Sequence, residues 1–393
     1  MSDVRRVGVV SSARSDFGLL LPLLHAITAD QTLELLLLAT GMHFSPAAGE
    51  TIEEVRRAGL GGALVEIAPR SASAGDSEHA AATRAFADEV AGFGALYASP
   101  RTPQVVVILG DRYDALPAAI AALPFNIALA HLSGGEITEG VIDDSIRHAL
   151  TKLSHLHFPA HERAAARIRS MGEEPWRVEA VGEPGLDALA TLVQRPRAEV
   201  FAGYQLDPSA PLSLLTYHPE TLAGVPPARG VAELLAAAEQ LDTQVVATYP
   251  NGEPGSAQIV AALEAFCAAR PSRRKLHASL GRAAYLELLA VADCMVGNSS
   301  SGLIEAPSLG LPVVNIGDRQ RGRLRASNVA DVSHDRAAIA GAWREALARD
   351  RAALRAERNP YGDGNASKRI VARLRDTPLD ARLLRKRFVQ VHA

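Results

Sequence analysis

Cysteine is almost missing from this chain. Two occur in 393 residues, Cys267 and Cys294, and neither their number nor their spacing supports a disulfide framework or a zinc site, so a reducing cytoplasm is the expected compartment. Long apolar runs are missing too. None approaches the ~18 residues that cross a bilayer, and the N-terminal MSDVRRVGVV enters a strand pattern at once, without the apolar stretch and cleavage site of a signal peptide. An excess of one charge is also lacking: 41 Lys and Arg against 44 Asp and Glu leave −3. Without a basic face, a sequence-independent grip on nucleic acid has no electrostatic basis. There is no repeat of solenoid length and no low-complexity tract. Neither GxxxxGK[ST] nor GxGxxG occurs, which excludes a P-loop NTPase and a standard nicotinamide enzyme. The chain therefore reads as an enzyme or binding protein without metal, cofactor, membrane or nucleic-acid partner.

What is present is alternation. Short apolar runs at Val7–Val10, Leu33–Leu38, Leu64–Ile67, Val105–Leu109, Ile127–Ala130 and Val178–Val181 are spaced by helical patterns at Leu19–Ile27, Thr51–Ala58 and Glu78–Tyr97. That order predicts a doubly wound parallel α/β sheet. Gly182-Glu-Pro-Gly185 reads as the approach to a boundary, after which the alternation restarts with strands at Leu212–Thr216, Gln244–Thr248, Lys275–His277, Cys294–Val296 and Val313–Ile316. The expected architecture is two Rossmann-like domains facing a cleft: residues 1–185, with an Arg-rich helix at 368–393 packing back on them, and residues 186–367.

Ligands of such sheets collect beyond the carboxyl ends of the strands. The stretch from Gly110 to Lys152 lies there and gathers Asp111, Arg112, Asp114, His131, Glu136, Glu139, Asp143, Asp144, Arg147 and His148 around Gly134-Gly135. Each acid alone is equally a helix cap; together with two histidines, two arginines and a glycine pair they read as a site. In the second half, Gly297-Asn-Ser-Ser-Ser-Gly302 follows a strand and opens a helix, a cradle of hydroxyls and backbone N–H groups suited to phosphate, with Glu305 one turn in, placed to accept ribose hydroxyls. An ordinary serine cap is the alternative reading. His218, after Leu212–Thr216, and Arg14, after the first strand, are further anion-binding candidates; a structural histidine and a solvated arginine are the plain alternatives.

SARSDFG at 12–18, TGMHFSPAAGETI at 40–52, GDRYDAL at 110–116, HLSGGEITEGVIDDSIRHALTKLSHLHF at 131–158, TYHP at 216–219 and GNSSSGLIEAPSLGLPVVNIGDRQRGR at 297–323 together resemble the hydrolysing UDP-N-acetylglucosamine 2-epimerases of nonulosonic acid synthesis, over nearly the whole chain and in order. The resemblance implies the glycosyltransferase-B fold and no cofactor. It also implies elimination of UDP from a 2-acetamido sugar nucleotide to a 2-acetamidoglucal, followed by addition of water at C1 with inversion at C2. It makes Asp111, Glu136 and Asp143 the leading acid–base residues, with His131, Asp144, Arg112 and His148 around them. It gives Arg14, Gly18, His43, Arg147, His218, Asn251, Ser299, Ser300, Glu305 and Arg319 to substrate and nucleotide, UDP or GDP, and implies a homodimer or homotetramer.

Two positions depart from the family pattern: Ala257, where relatives often carry a basic residue toward the nucleotide, and Ser133, which departs from the sialic-acid branch. Ser133 stands where that branch carries a glutamate, leaving the place uncharged unless Glu139 reaches it, and this favours UDP-N,N'-diacetylbacillosamine, whose 6-methyl gains nothing from a charged neighbour. A non-hydrolysing 2-epimerase, a glycosyltransferase and a non-catalytic sugar-nucleotide sensor share parts of the pattern; the sensor has no need of the carboxylates.

Overall fold

The computed structural model describes residues 4–45, 51–69, 77–138, 142–220, 225–250 and 255–390. They form two compact units, one of Met1–Ile137, Ile142–Ala188 and Gly364–Ala393, the other of Thr138–Val141 and Leu189–Asp363. Among the described residues no helix is long and apolar enough to cross a membrane.

Six strands build the sheet of the first unit: β1 (Arg5–Ser11), β2 (Leu33–Ala39), β3 (Leu64–Glu66), β4 (Val105–Leu109), β5 (Ala128–Leu132) and β6 (Leu156–Phe158). They lie in the order β3-β2-β1-β4-β5-β6, and every pair is parallel. Strands such as Val105-Val-Val-Ile carry apolar residues at consecutive positions because both faces of the sheet are covered. Val105 and Val107 enter the core on one face, Val106 and Ile108 the core on the other. The order reverses between β1 and β4, so the loops after these two strands diverge and leave a crevice at the carboxyl edge.

The second unit repeats the plan with β7 (Leu212–Thr216), β8 (Gln244–Thr248), β9 (Arg274–His277), β10 (Cys294–Gly297), β11 (Val313–Ile316) and β12 (Val329–Val332). Their order is β12-β11-β10-β7-β8-β9, again all parallel, and the reversal falls between β7 and β10. Trp343 is fully buried in this core, its indole N–H satisfied by Ser213 Oγ at 2.8 Å.

Two expectations give way, and one strand is additional to those expected. Val178–Val181 is not a strand: one bridge from Val178 to His157 is all that forms, and the sixth strand is β6, whose three residues are too short to stand out among the histidines of Leu-Ser-His-Leu-His-Phe158. The edge strand β12, half exposed, carried no apolar run to announce it. The C-terminal helix is Ala366–Asp376, followed by one turn at Ala381–Leu384. Pro378 ends it, since a proline forces its predecessor Thr377 out of the helical region, and Thr377 is extended.

The helix Ala366–Asp376 contributes Ala366, Ile370, Val371 and Leu374 to the core of the first unit. Its first N–H groups are capped from elsewhere in the chain, by Asp187, which accepts from Ala366 at 2.9 Å and Ser367 at 2.6 Å. Asp187→Ala leaves both donors buried and unpaired and is expected to cost about 2 kcal/mol. Urea unfolding checks it: an unshifted midpoint would show that the cap contributes nothing.

Candidate active site

At the reversal point of the first sheet the loops after β1 and β4 are tied together. Ser12 Oγ donates to Asp16 Oδ2 at 2.7 Å, while Arg112 reaches Asp16 Oδ1 through Nε at 2.9 Å and Ser15 Oγ through Nη2 at 3.0 Å. His43 stands in the single turn Gly41–Phe44 that follows β2, with Nε2 2.8 Å from Ser11 Oγ and Nδ1 2.9 Å from Thr51 Oγ1. Burial pulls its pKa down to about 4, so the ring is neutral at physiological pH. Arg14 begins the first helix, Arg14–Ala29, and pairs with Glu54 at 3.1 Å; Gly18 lies one turn further along.

The helix Ile142–Leu153 delivers the next group. Ile146 and Leu150, four residues apart, pack into the core and carry the neighbouring Arg147 inward with them. Its guanidinium, 1% exposed, meets the Asp111 carboxylate, Asp144 Oδ1 at 3.1 Å and the Glu136 carbonyl at 3.1 Å. One buried cation thus draws together a carboxylate from the β4 loop and another from the first turn of the helix. Asp143 shares that turn and is half-buried; His148, one turn on, lies 3.4 Å from Asp144.

His131 is fully buried in β5 and donates from Nε2 to the Gly110 carbonyl at 2.7 Å, bracing the residue before Asp111. A carbonyl only accepts, so Nε2 carries the proton, and burial holds the pKa at about 4. Beyond β5 the chain passes through Gly135 at φ +77, where a Cβ would meet the Ala164 carbonyl at 2.5 Å; only glycine fits there. Glu136 follows, with Oε1 2.6 Å from His161 Nε2. His161 caps the helix Glu162–Ser170 by accepting the Ala164 N–H on Nδ1 at 3.0 Å, which leaves Nε2 facing the carboxylate.

Ser133 has an unexpected neighbour. Its hydroxyl donates to Glu183 Oε2 at 2.9 Å, so the place is not uncharged: a carboxylate arrives from 50 residues downstream. Glu139 lies outside the described residues, and with Glu183 beside it Ser133 gives no ground for preferring a substrate with a 6-methyl group.

In the second unit the reversal point lies between β7 and β10, and the residues after both strands are locked by one amide. Asn298 Oδ1 accepts the His218 backbone N–H at 2.7 Å and Asn298 Nδ2 donates to the His218 carbonyl at 2.9 Å. Gly297 makes this possible: its φ is +134 and a Cβ would lie 1.9 Å from the Thr216 carbonyl. His218 is buried and its pKa is held at about 3 by burial, with Arg319 adding to the effect, so it presents a neutral ring. Arg319 Nη1 reaches the Asn298 carbonyl at 3.5 Å.

Ser299 and Ser300 precede a single helical turn, Ser301–Ile304, that gives way to a tighter turn at Ala306–Leu309, not the longer helix the sequence suggests. Glu305 is buried and receives Arg282 Nη1 on Oε1 at 2.6 Å. Tyr285 also faces Glu305 and the serines, and burial raises its pKa. Asn251 lies outside the described residues. Among the described residues no three of His, Cys, Asp and Glu converge as a metal site.

Glu183, His161, Asn298 and Arg282 were not singled out by the sequence. Asn298 was visible inside Gly-Asn-Ser-Ser-Ser-Gly; the others are remote in sequence from the residues they hold, and no local pattern marks them.

The chain matches the UDP-N-acetylglucosamine 2-epimerase family over residues 25–375. It is 34% identical to the UDP-N,N'-diacetylbacillosamine 2-epimerase (hydrolyzing) of Legionella pneumophila, covering 98% of this chain and 99% of that protein. It is 35% identical to the GDP/UDP-N,N'-diacetylbacillosamine 2-epimerase (hydrolyzing) of Campylobacter jejuni over 83% of this chain and 84% of that one. Its fold is shared by the crystal structure of UDP-GlcNAc 2-epimerase from Neisseria meningitidis bound to UDP-GlcNAc, with TM-score 0.77 and 19% identity over 94% of this chain and 99% of that one. With two doubly wound sheets of one topology and a match through both, this chain belongs to the UDP-N-acetylglucosamine 2-epimerase family.

Proposed function

We propose that this protein is a hydrolysing 2-epimerase that converts UDP-N,N'-diacetylbacillosamine and water into UDP and 2,4-diacetamido-2,4,6-trideoxymannose. The observation that carries the reading is the set of carboxylates gathered at the ends of β4 and β5 around Arg147 and His161. A nucleotide-binding half alone serves a glycosyltransferase or a sensor equally well, whereas proton transfer at a carbon requires such groups. The choice of the diacetamido sugar is supported by the two hydrolysing relatives, both named for that substrate.

The chemistry divides between the units. In the second, the Ser299–Ser301 turn, the neutral His218 and Arg319 supply donors to a diphosphate, and Glu305, steadied by Arg282, accepts from the ribose. As the C1–O bond breaks, the departing UDP takes the electron pair, and these donors stabilise the charge that develops. In the first unit a carboxylate removes the C2 proton, forming the C1–C2 double bond of the glycal. Water then adds its oxygen to C1 while an acid returns a proton to C2 on the opposite face. Asp111, Glu136 and Asp143 are the proposed acid–base residues; Arg147 holds Asp111 in place, and Arg112, His131, Asp144 and His148 fix the surrounding loops. Arg14, Gly18 and His43 line the β1 and β2 ends near the sugar nucleotide.

Incubation with UDP-N,N'-diacetylbacillosamine in heavy water, followed by proton NMR, tests the reading. It should give UDP and a free sugar of manno configuration deuterated at C2, with no acceptor and no sensitivity to chelator. An absolute need for an acceptor sugar, or return of an intact UDP-sugar, would sink it. Against UDP-N-acetylglucosamine, kcat/KM should favour the diacetamido substrate by about tenfold or more, roughly 1.4 kcal/mol of transition-state binding; the reverse preference removes that assignment.

Substitutions should separate the two units' roles. Asp111→Asn, Glu136→Gln and Asp143→Asn are expected to lower kcat by about 10² or more with UDP affinity retained. Glu305→Ala should raise KM and the UDP Kd more than it lowers kcat, because ribose contacts exist in ground and transition states alike. Calorimetric titration with UDP decides the second point, and undiminished affinity in Glu305→Ala takes that residue out of the site.

A further inference from the structure

Inversion at C2 requires one proton to leave and another to arrive from the opposite face, so two separately held acid–base groups are needed. The turn that ends β5 carries one carboxylate and holds a second from elsewhere in the chain, each in a different setting. On one side of Gly134-Gly135 is Glu136, facing His161 at 2.6 Å. On the other is Ser133, whose hydroxyl holds Glu183 at 2.9 Å. Asp111 and Asp144, by contrast, are both held by the Arg147 guanidinium.

The Ser133–Glu183 pair is fixed from both directions. Ser133 takes a left-handed backbone at φ +56, uncommon for a residue with a side chain, and its N–H donates to the Phe158 carbonyl at 3.0 Å. Glu183 lies between Gly182, at φ +98, and Pro184, and its carbonyl accepts the Leu186 N–H at 3.0 Å. Four residues on, Asp187 is locked onto the buried helix Ala366–Asp376. Only 9% of Glu183 is exposed, and burying a carboxylate is unfavourable unless it is hydrogen-bonded or paired, as Glu183 is to Ser133.

We propose that Glu183, positioned by Ser133, is an acid–base residue of the reaction, serving one face of C2 while Glu136 serves the other. This rests on the function proposed above. One carboxylate accepts the C2 proton as the C2–H electrons form the double bond and UDP leaves with the C1–O pair; that proton then passes to solvent. The other, as the acid, gives its proton to C2 while water bonds to C1, and the proton lost by that water restores the acid.

Two variants test it. Glu183→Gln keeps shape and hydrogen-bonding capacity but not proton transfer. It should lower kcat by about 10² or more with a UDP Kd within about threefold of wild type, and NMR should show either no elimination or release of UDP with accumulation of the glycal, according to which step Glu183 serves. Ser133→Gly removes the hydroxyl and suits the left-handed backbone. Loss of a donor to the charged form makes Glu183 easier to protonate, so the limb of the kcat/KM profile that it governs should move to higher pH. A purely structural contact would leave the profile in place. Glu183→Gln turning over within threefold of wild type, or a Ser133→Gly profile superimposable on wild type, overturns the proposal. Wild-type enzyme that releases neither UDP nor free sugar from either substrate instead overturns the function on which it rests.

Discussion

Every strand of both sheets runs parallel to its neighbours, and this constraint arranges the rest. A parallel pair cannot be closed by a tight turn, so each connection must cross back over a face of the sheet, and all the carboxyl ends emerge along one edge. The crossing helices bury both faces, which is why the strands are apolar throughout and why polar chemistry is confined to that edge. Where the strand order reverses, adjacent loops part company. In the first unit this point lies between Asp16 and Arg112, in the second between His218 and Asn298, and in each a specific polar contact stitches the two loops together.

Charge at such an edge must be balanced, because the walls are core. Arg147 is almost completely buried yet faces two carboxylates and a carbonyl. Removing either carboxylate leaves the buried guanidinium with a single anionic partner and weakens that balance. The same contacts that keep the guanidinium tolerable therefore fix Asp111 and Asp144 in space. Position and stability have one origin here.

Histidines solve the problem differently. His43, His131 and His218 are all driven to the neutral form by burial, with pKa values of about 4, 4 and 3, and the His43 and His131 rings serve as fixed hydrogen-bonding groups. A neutral ring can donate a hydrogen bond without the desolvation cost of a buried cation. Positive charge at these edges falls instead to arginine, which burial does not readily neutralise.

The periodicity of the sequence determined the architecture. Consecutive apolar runs at helix-length spacing, as in Val105–Leu109 and Leu212–Thr216, have no other economical solution than a two-unit parallel α/β fold, and the edge segments Gly110–Lys152 and Gly297–Glu305 followed from strand ends alone. Short or exposed strands escaped, because Leu156–Phe158 and Val329–Val332 bury too little to impose a pattern, and Pro378 shortened a helix that composition had lengthened. The partners of the site residues were decided only by tertiary structure. Nothing near Ser133 announces Glu183, nothing near Glu305 announces Arg282, and Asp111 gives no sign of Arg147, 36 residues away. Local sequence encodes local propensity and burial, whereas which carboxylate meets which cation is settled by the stacking of strands and the angle at which each helix returns across them.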